Sequence, residues 1–252
     1  MNLDKSLDKS PDKSLDKSPY KTLKEEAFEA NREIPRRNLA IYTWGNVSAF
    51  DPAGGVFAIK PSGVAYDDLT PDSMVVVDLD AKVVEGKLNP SSDTKTHCVL
   101  YREFPGIGGI THTHSPYAVA WAQARRTVPV FGTTHADHGA QAIPCTEMMD
   151  GEAAARDYEL ETGNLIAAAF RNGNIDPSHI QMVLVAGHGP FTWGKNAAQS
   201  VYNGAVLEEI CKMALLTLTL DPRSPPLPDH IIRKHWERKH GPAAYYGQSE
   251  KI

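Results

Sequence analysis

The sequence predicts a globular α/β fold whose sheet is at least partly antiparallel. Hydrophobic residues make up 41% of the 252-residue chain, which is ample for a sizeable core. Four short strands are predicted within about forty residues, over residues 41–44, 56–60, 74–79 and 82–85. Strands this close together cannot all be joined by helical crossovers, so some neighbours must run antiparallel. Helical patterns before and after this region supply the α component.

The chain begins with a low-complexity tail, residues 1–21, built on the repeat Leu-Asp-Lys-Ser. Its charges nearly cancel, its few apolar residues cannot form a packed face, and its prolines interrupt a long helix. We therefore expect a disordered extension, with a docking arm as the alternative.

The next segment, residues 22–38, predicts an amphipathic helix that ends before Pro35. Among the strands that follow, the segment 41–44 leads into a turn at 45–48. The turn-prone pair Asp80-Ala81 separates the last two strands, which predicts a hairpin.

The rest of the chain alternates between helices, loops and strands. Residues 132–138 form a polar stretch that is too rich in ionisable groups for a core, so we predict an open loop there. The predicted helices cover residues 93–104, 117–123, 152–172, 197–220 and 229–239, and the predicted strands cover 108–114 and 181–186, the latter followed by an exit loop at 187–190.

Composition also excludes several classes of protein. A net charge of −5 leaves no excess positive charge for displacing counterions along a phosphate backbone, which argues against nucleic acid as a partner. Three cysteines without paired spacing indicate neither a disulfide framework nor a cysteine zinc cage, and a reducing cytoplasm fits best. No apolar run reaches the roughly 18 residues of a membrane span, so a membrane partner is not expected.

Two histidines in the 108–114 strand are candidate metal ligands. Side chains two residues apart on a strand share one face, so His112 and His114 should converge. Two half-buried polar residues on a strand edge are the alternative interpretation. His188, between two glycines after an apolar strand, is either a third ligand or a capping or core histidine. Three neutral imidazoles with one open position are a ligand set of catalytic zinc.

Two further segments have the chemistry of a phosphate cradle. Residues 60–63, Lys-Pro-Ser-Gly, offer an ammonium, a hydroxyl and a glycine amide just after a strand. Residues 91–93, Ser-Ser-Asp, offer hydroxyls and free amides at a helix start, where the dipole favours an anion. Asn46 could add an amide donor. Each signal is weak alone because such caps and turns are common without ligands.

Proton transfer has two candidate groups. Asp137 lies between His135 and His138 in the polar stretch and is a possible acid or base, or a carboxylate that closes a turn. Tyr245 and Tyr246 are either packing aromatics or phenols that donate a proton to a developing alkoxide.

Seven motifs, taken in order, resemble the class II aldolase/epimerase family. They are Thr-Trp-Gly-Asn-Val-Ser at 43–48, Ile-Lys-Pro-Ser-Gly at 59–63, Pro-Ser-Ser-Asp-Thr at 90–94, Gly-Ile-Thr-His-Thr-His-Ser at 109–115, Gly-Thr-Thr-His-Ala-Asp at 132–137, His-Gly-Pro-Phe at 188–191 and Ala-Tyr-Tyr-Gly-Gln at 244–248. The resemblance implies a single domain over residues 22–252, folded as a three-layer α/β/α sandwich around a predominantly antiparallel sheet.

The resemblance also implies a role for each motif residue. It implies a divalent metal, most often Zn²⁺ with Mn²⁺ as a substitute, on His112, His114 and His188, with Asp93 close to or in the metal shell. Asp137 and Tyr246 match the acid/base pair, and His235 matches a further polar position. The residues that match phosphate-binding positions are Asn46, Lys60, Ser62, Gly63, Ser91 and Ser92.

The activity that the resemblance implies is epimerisation of L-ribulose 5-phosphate at carbon 4, giving D-xylulose 5-phosphate. Cleavage between carbons 3 and 4 and re-addition would pass through a metal-bound enediolate, in a cytoplasmic, fourfold-symmetric homotetramer with active sites at subunit interfaces. The alternatives are a fuculose-phosphate type of aldolase and a non-catalytic interaction module. Such aldolases usually carry glutamate at the position of Asp93, and such modules lose the metal histidines. Mild departures from the family pattern occur at residues 138–140 and at Gly187.

Overall fold

The computed structural model describes residues 18–242 and 244–245, so most of the predicted tail, residues 1–21, lies outside it. Across the described ranges no helix has the length and apolar character that crossing a membrane requires. In chain order the elements are α1 (Lys21–Arg36), β1 (Asn46–Asp51), β2 (Val56–Ile59), β3 (Val75–Asp78), β4 (Val83–Glu85), α2 (Thr94–Glu103), β5 (Gly109–His112), α3 (Pro116–Gln123), α4 (Thr133–Ala136), α5 (Gly151–Asn172), β6 (Met182–Val185), β7 (Gly189–Gly194), α6 (Ala197–Leu220) and α7 (Asp229–His240).

The strands form one sheet in the order β4-β3-β2-β1-β5-β7-β6, and each neighbouring pair is antiparallel. Successive residues of β1 point to opposite faces of this sheet. Val47 packs with Ala27 and Ile34 of α1 on one face, whereas Ser48 contacts His97 of α2 on the other. Helices therefore cover both faces, and the predicted three-layer sandwich with an antiparallel sheet is confirmed.

The larger core lies on the face covered by α2, α3 and α5. Phe57 of β2 and Ile110 of β5 join Leu100 of α2 and Phe170 of α5 in one buried cluster. Burial of these side chains is the main favourable term for this layer, at about 1.5–3 kcal/mol for each large apolar side chain.

Two predicted elements differ from the structure near the N-terminus. The strand predicted over residues 41–44 is wrong, because Ile41 is 55% exposed and Tyr42 has a left-handed φ of 54°. The strand starts instead at Asn46, inside the predicted turn. The first helix also continues through Pro35 to Arg36, since the fully buried Ile34 holds its last turn against the core.

The predicted exit loop at residues 187–190 is also wrong in part, because Gly189 opens strand β7. Glycine and proline at the start of this strand resemble a loop in sequence. Glycine suits this position because a Cβ would lie 3.0 Å from the carbonyl oxygen of Thr113, a tight contact. The hairpin at Asp80-Ala81 is confirmed, and Ala81 takes the left-handed conformation, with a φ of 62°.

Asn31 joins α1 to the start of β1, so its loss should destabilise the fold. Its side chain accepts a hydrogen bond from the Val47 N–H and donates one to the Val47 carbonyl, and both residues are fully buried. In Asn31→Ala these two backbone groups lose their partner, and we expect the free energy of unfolding to fall by about 2–4 kcal/mol. Urea denaturation measures this change. Asn164→Ala, on an exposed helical site, is the control and should stay within about 0.5 kcal/mol of wild type.

Candidate functional site

Three imidazoles meet where β5 and the β6–β7 hairpin end. Strand β5 stops at His112, so His114 lies beyond the strand that was predicted to contain it. The two Nε2 atoms are nevertheless 3.1 Å apart, and His188 completes a group whose ligand atoms all lie within 4.8 Å of one another. The predicted convergence of the three side chains is therefore found.

Two glycines place these histidines. Gly187, with a φ of 72°, turns the chain between β6 and β7 so that His188 faces the other two imidazoles. Gly45, with a φ of 76°, precedes β1 and passes close to β5, and a Cβ there would lie 2.6 Å from the carbonyl oxygen of His112. At both positions the left-handed backbone suits glycine.

The donor set fits a divalent transition metal. His112 Nδ1 donates a hydrogen bond to the Pro190 carbonyl at 2.9 Å, which leaves a lone pair on Nε2. Burial lowers the pKa of His112 and His114, and it lowers the pKa of His188 to about 4 with help from the neighbouring His112. Neutral imidazoles with close, converging lone pairs are the form that binds a cation.

Asp93 lies at the edge of the histidine group. Its Oδ2 atom is 4.0 Å from His112 Nε2 and accepts a hydrogen bond of 2.7 Å from Asn46 Nδ2. Burial opposes ionisation, but attraction to the nearby histidines in their protonated form, led by His112, and this hydrogen bond hold the pKa of Asp93 below its ordinary value. Asn46 thus links the Asp93 carboxylate to the cavity wall. One N–H of its side-chain amide is already used in this hydrogen bond.

The two predicted phosphate segments lie side by side. Pro61 and Pro90 form an antiparallel bridge, the Ser62 N–H donates to the Asn89 carbonyl, and the Ser91 N–H donates to the Lys60 carbonyl. These backbone hydrogen bonds explain how stretches thirty residues apart in sequence form one wall.

Lys60 is a buried cation on that wall, with only 2% of its surface exposed. Its Nζ donates to the carbonyl oxygens of Thr43 and Pro61 and lies 5.2 Å from the centre of the Tyr66 ring. Burial lowers the pKa of Lys60 to about 8, so the amine is still largely protonated at neutral pH. An anion bound beside it would compensate the cost of burying the charge.

One cavity of about 530 Å³ collects these groups. Each predicted metal-binding and phosphate-binding residue lines it. The lining also includes residues that had no predicted role, among them Trp44 and Gly45, which belong to the 43–48 motif. The lining residues are Thr43, Trp44, Gly45, Asn46, Lys60, Pro61, Ser62, Gly63, Ser91, Ser92, Asp93, His112, His114 and His188.

Asp137 lies elsewhere in the described chain, at the end of the short helix α4. The open loop predicted for this stretch is wrong, because Asp137 is 7% exposed and its carboxylate is satisfied by α7. Arg238 binds both carboxylate oxygens, and His235 Nδ1 lies 3.0 Å from Oδ1. Burial opposes ionisation, but hydrogen bonds from Arg238 and His235 lower the pKa of Asp137. Tyr246 lies outside the described residues.

Arg238 is a residue that the sequence reasoning missed. It follows His235 by three residues on a helix, so both side chains share one face. This spacing was a usable signal once His235 had been singled out.

Comparisons with known proteins agree with the histidine group and the cavity described above. Residues 25–215 match the family model described as Class II Aldolase and Adducin N-terminal domain. The chain belongs to this family. The class II aldolase family is dependent on divalent metals, and the histidine group is placed to hold one.

Curated relatives in the family are close in sequence. An L-ribulose-5-phosphate 4-epimerase UlaF from Salmonella paratyphi B is 49% identical over 225 residues, covering 89% of this chain and 98% of that protein. The protein of the same name from Salmonella paratyphi C is 50% identical over 225 residues, again covering 89% of this chain and 98% of that protein.

Solved structures of the family share the fold. An L-fuculose 1-phosphate aldolase superposes with a TM-score of 0.73 at 24% identity, covering 86% of this chain and 95% of the other. The aldolase of that name from Glaciozyma antarctica PI12 gives a TM-score of 0.70 at 17% identity, covering 91% and 85% of the two chains.

The contact between Gly45 and His112 predicts that a methyl group there disrupts the histidine group. Gly45→Ala would place a Cβ against the His112 carbonyl, so the end of β5 must shift, and we expect Zn²⁺ affinity in a chelator competition to fall about 10- to 100-fold. Gly55→Ala is the matched control, since Gly55 has a similar φ of 64° but open space around its Cβ. It carries the same backbone cost of about 1–2 kcal/mol. An equal loss of affinity in both variants would contradict the role assigned to this contact.

Proposed function

We propose that this protein epimerises L-ribulose 5-phosphate at carbon 4, forming D-xylulose 5-phosphate by cleavage and re-formation of the bond between carbons 3 and 4. The observation that carries the proposal is the single cavity that joins three converging imidazoles to a wall built around a buried lysine. The epimerase names of relatives at 49% and 50% identity support the choice of substrate.

The proposed metal ligands are His112, His114 and His188, with Zn²⁺ as the preferred ion and Mn²⁺ as a substitute. The bound cation would act as a Lewis acid for the negative charge that develops when the carbon–carbon bond breaks. The chain holds the three imidazoles neutral by burial, and the Pro190 carbonyl orients His112. Asp93, at the edge of the group, adds negative charge that offsets the charge of the ion.

The proposed phosphate site is the wall around Lys60. Its ammonium and the hydroxyls of Ser62, Ser91 and Ser92 are donors to phosphate oxygens, and Gly63 leaves the backbone accessible. In this reaction the aldehyde fragment carries the phosphate. Holding that phosphate keeps the fragment in the cavity while it rotates to present its other face, which separates epimerisation from release of two products.

The proposed acid/base pair is Asp137 and Tyr246. Inverting the alcohol requires one group to take a proton on one face and another to give a proton on the opposite face. Asp137 is not among the described residues that line the cavity of its own chain. This separation supports a site shared between copies, in which Asp137 of one copy serves the cavity of a neighbour with His235 beside it; the fourfold symmetry of the proposed homotetramer is taken from the family resemblance.

The remaining parts of the proposal rest on the family resemblance. They are a single catalytic domain over residues 22–252, a cytoplasmic location and a place in arabinose-type pentose catabolism. The second candidate function is a fuculose-phosphate type of aldolase, favoured by the similarity in fold to such enzymes. The aspartate at position 93 favours the epimerase.

Turnover should depend on the metal and on the three histidines. Purified protein incubated with L-ribulose 5-phosphate should form D-xylulose 5-phosphate, lose activity on chelation and recover it with Zn²⁺ or Mn²⁺. His112→Ala should lose bound metal and activity together, whereas His179→Ala, an exposed histidine, should keep both. Release of free glycolaldehyde phosphate without any xylulose 5-phosphate would favour the aldolase instead.

Removal of either proton-transfer group should stop turnover without removing the metal. We expect Asp137→Asn and Tyr246→Phe each to lower kcat by about 10²- to 10⁴-fold, the usual contribution of general acid or base catalysis. Metal content, measured by atomic absorption, should stay at the wild-type level. Asp176→Asn changes an exposed aspartate and serves as the control for both readouts. Full activity in Asp137→Asn or Tyr246→Phe would remove that residue from its role.

A further inference from the structure

Helix α5 is interrupted at Asp157, where the backbone is not helical and the side chain caps the segment that follows. Asp157 has φ and ψ of −166° and 88°, which are not helical, so two helical segments meet there. Its Oδ1 atom accepts a hydrogen bond from the Leu160 N–H at 3.3 Å, the pattern of an N-cap on the second segment. The aspartate therefore starts a new helix within α5.

The interruption is fastened to α2, the helix that begins beside Asp93. Lys95 Nζ lies 2.6 Å from Asp157 Oδ2, and Thr96 Oγ1 donates to the Glu159 carbonyl at 2.6 Å. Thr96 is fully buried, so the second contact is protected from water. The start of the second segment is thereby held in register with the helix that carries the carboxylate at the histidine group.

Tyr158 is the first residue after the interruption, and its phenol reaches the histidine group. Tyr158 Oη lies 3.3 Å from His188 Nδ1. Histidines that bind metals almost always give their second ring nitrogen to an outer partner, which fixes the tautomer and the plane of the ring. His112 has such a partner in the Pro190 carbonyl, and the corresponding contact of His188 is Tyr158.

We propose that Tyr158 is a positioning residue that orients His188 for metal binding, and that the capped interruption at Asp157 sets the position of the Tyr158 side chain. The inference rests on the proposed function, because it takes the three histidines as the metal ligands. With Nε2 turned to a bound metal, the proton would stay on Nδ1, whose N–H donates a hydrogen bond to the phenol oxygen. Without the interruption, α5 would carry the side chain of residue 158 to a different position relative to His188.

The test is metal affinity in Tyr158→Phe, which removes one oxygen and keeps the ring. We expect Zn²⁺ affinity, measured by chelator competition, to fall about 10- to 100-fold. The visible absorption of the Co²⁺-loaded protein should also change, since it reports ligand geometry directly. Tyr202→Phe is the matched control: Tyr202 Oη also contacts a histidine nitrogen, His138 Nε2 at 2.9 Å, and its loss should leave both readouts unchanged.

A second pair of variants tests the interruption itself. Asp157→Ala removes the cap and should weaken Zn²⁺ binding, whereas Asp157→Asn keeps a cap acceptor and should restore most of the affinity. Circular dichroism and thermal unfolding of the metal-free proteins identify any general loss of structure. Wild-type affinity and an unchanged Co²⁺ spectrum in Tyr158→Phe would overturn the inference.

A different set of results would overturn the proposed function. Weak metal binding in Tyr158→Phe, combined with a wild-type protein that binds Zn²⁺ but does not convert L-ribulose 5-phosphate, would support the inference and overturn the reaction. Normal epimerase activity with equal metal affinity in wild type and Tyr158→Phe would support the reaction and overturn the inference.

Discussion

The antiparallel pairing of β5 with both β1 and β7 is the constraint on which the site depends. The register places Asn46 opposite His112 on one side and Phe191 opposite His112 on the other. Because β7 leaves the hairpin that carries His188, the same pairing brings the third imidazole to the end of β5. A one-residue slip would turn His112 to the other face and separate the group.

The cavity joins two electrostatic environments in a small space. On one side, neutral imidazoles and the Asp93 carboxylate suit a cation; on the other, the buried ammonium of Lys60 suits an anion. Asn46 lies at the junction and is hydrogen-bonded to the carboxylate. A ketose phosphate has the matching polarity, with oxygens for the metal at one end and a dianion at the other. Bound lengthwise, it would be oriented by charge before any specific hydrogen bond forms.

Local sequence patterns indicated the parts of the cavity but left alternatives for each, and the resemblance of seven short motifs to the family is what joined its residues into one predicted site. Alternation on a strand predicted that His112 and His114 meet, and turn and helix-start chemistry indicated the two phosphate segments. Long-range contacts explain the failures. β7 begins with glycine and proline, and its pairing with both β5 and β6 makes it a strand. The segment at 41–44 is largely apolar, but Ile41, Tyr42 and Trp44 are each more than half exposed among the described residues. The burial of Asp137 depends on α7, about a hundred residues away.

The environment of Asp137 favours one direction of proton transfer in the proposed reaction. Its ion pair with Arg238 keeps it ionised at neutral pH, so in the proposed role it would start a turnover as a base. A tyrosine, with an ordinary pKa of about 10, would start as the acid. After one inversion the aspartate holds a proton and the tyrosine lacks one, so the pair must be reset before the next turnover. His235, 3.0 Å from Asp137 Oδ1 and one-fifth exposed, is in contact with both the carboxylate and the solvent. In the proposed reaction the reset returns this proton from Asp137 to the solvent, and the partly exposed His235 lies beside the carboxylate that it leaves.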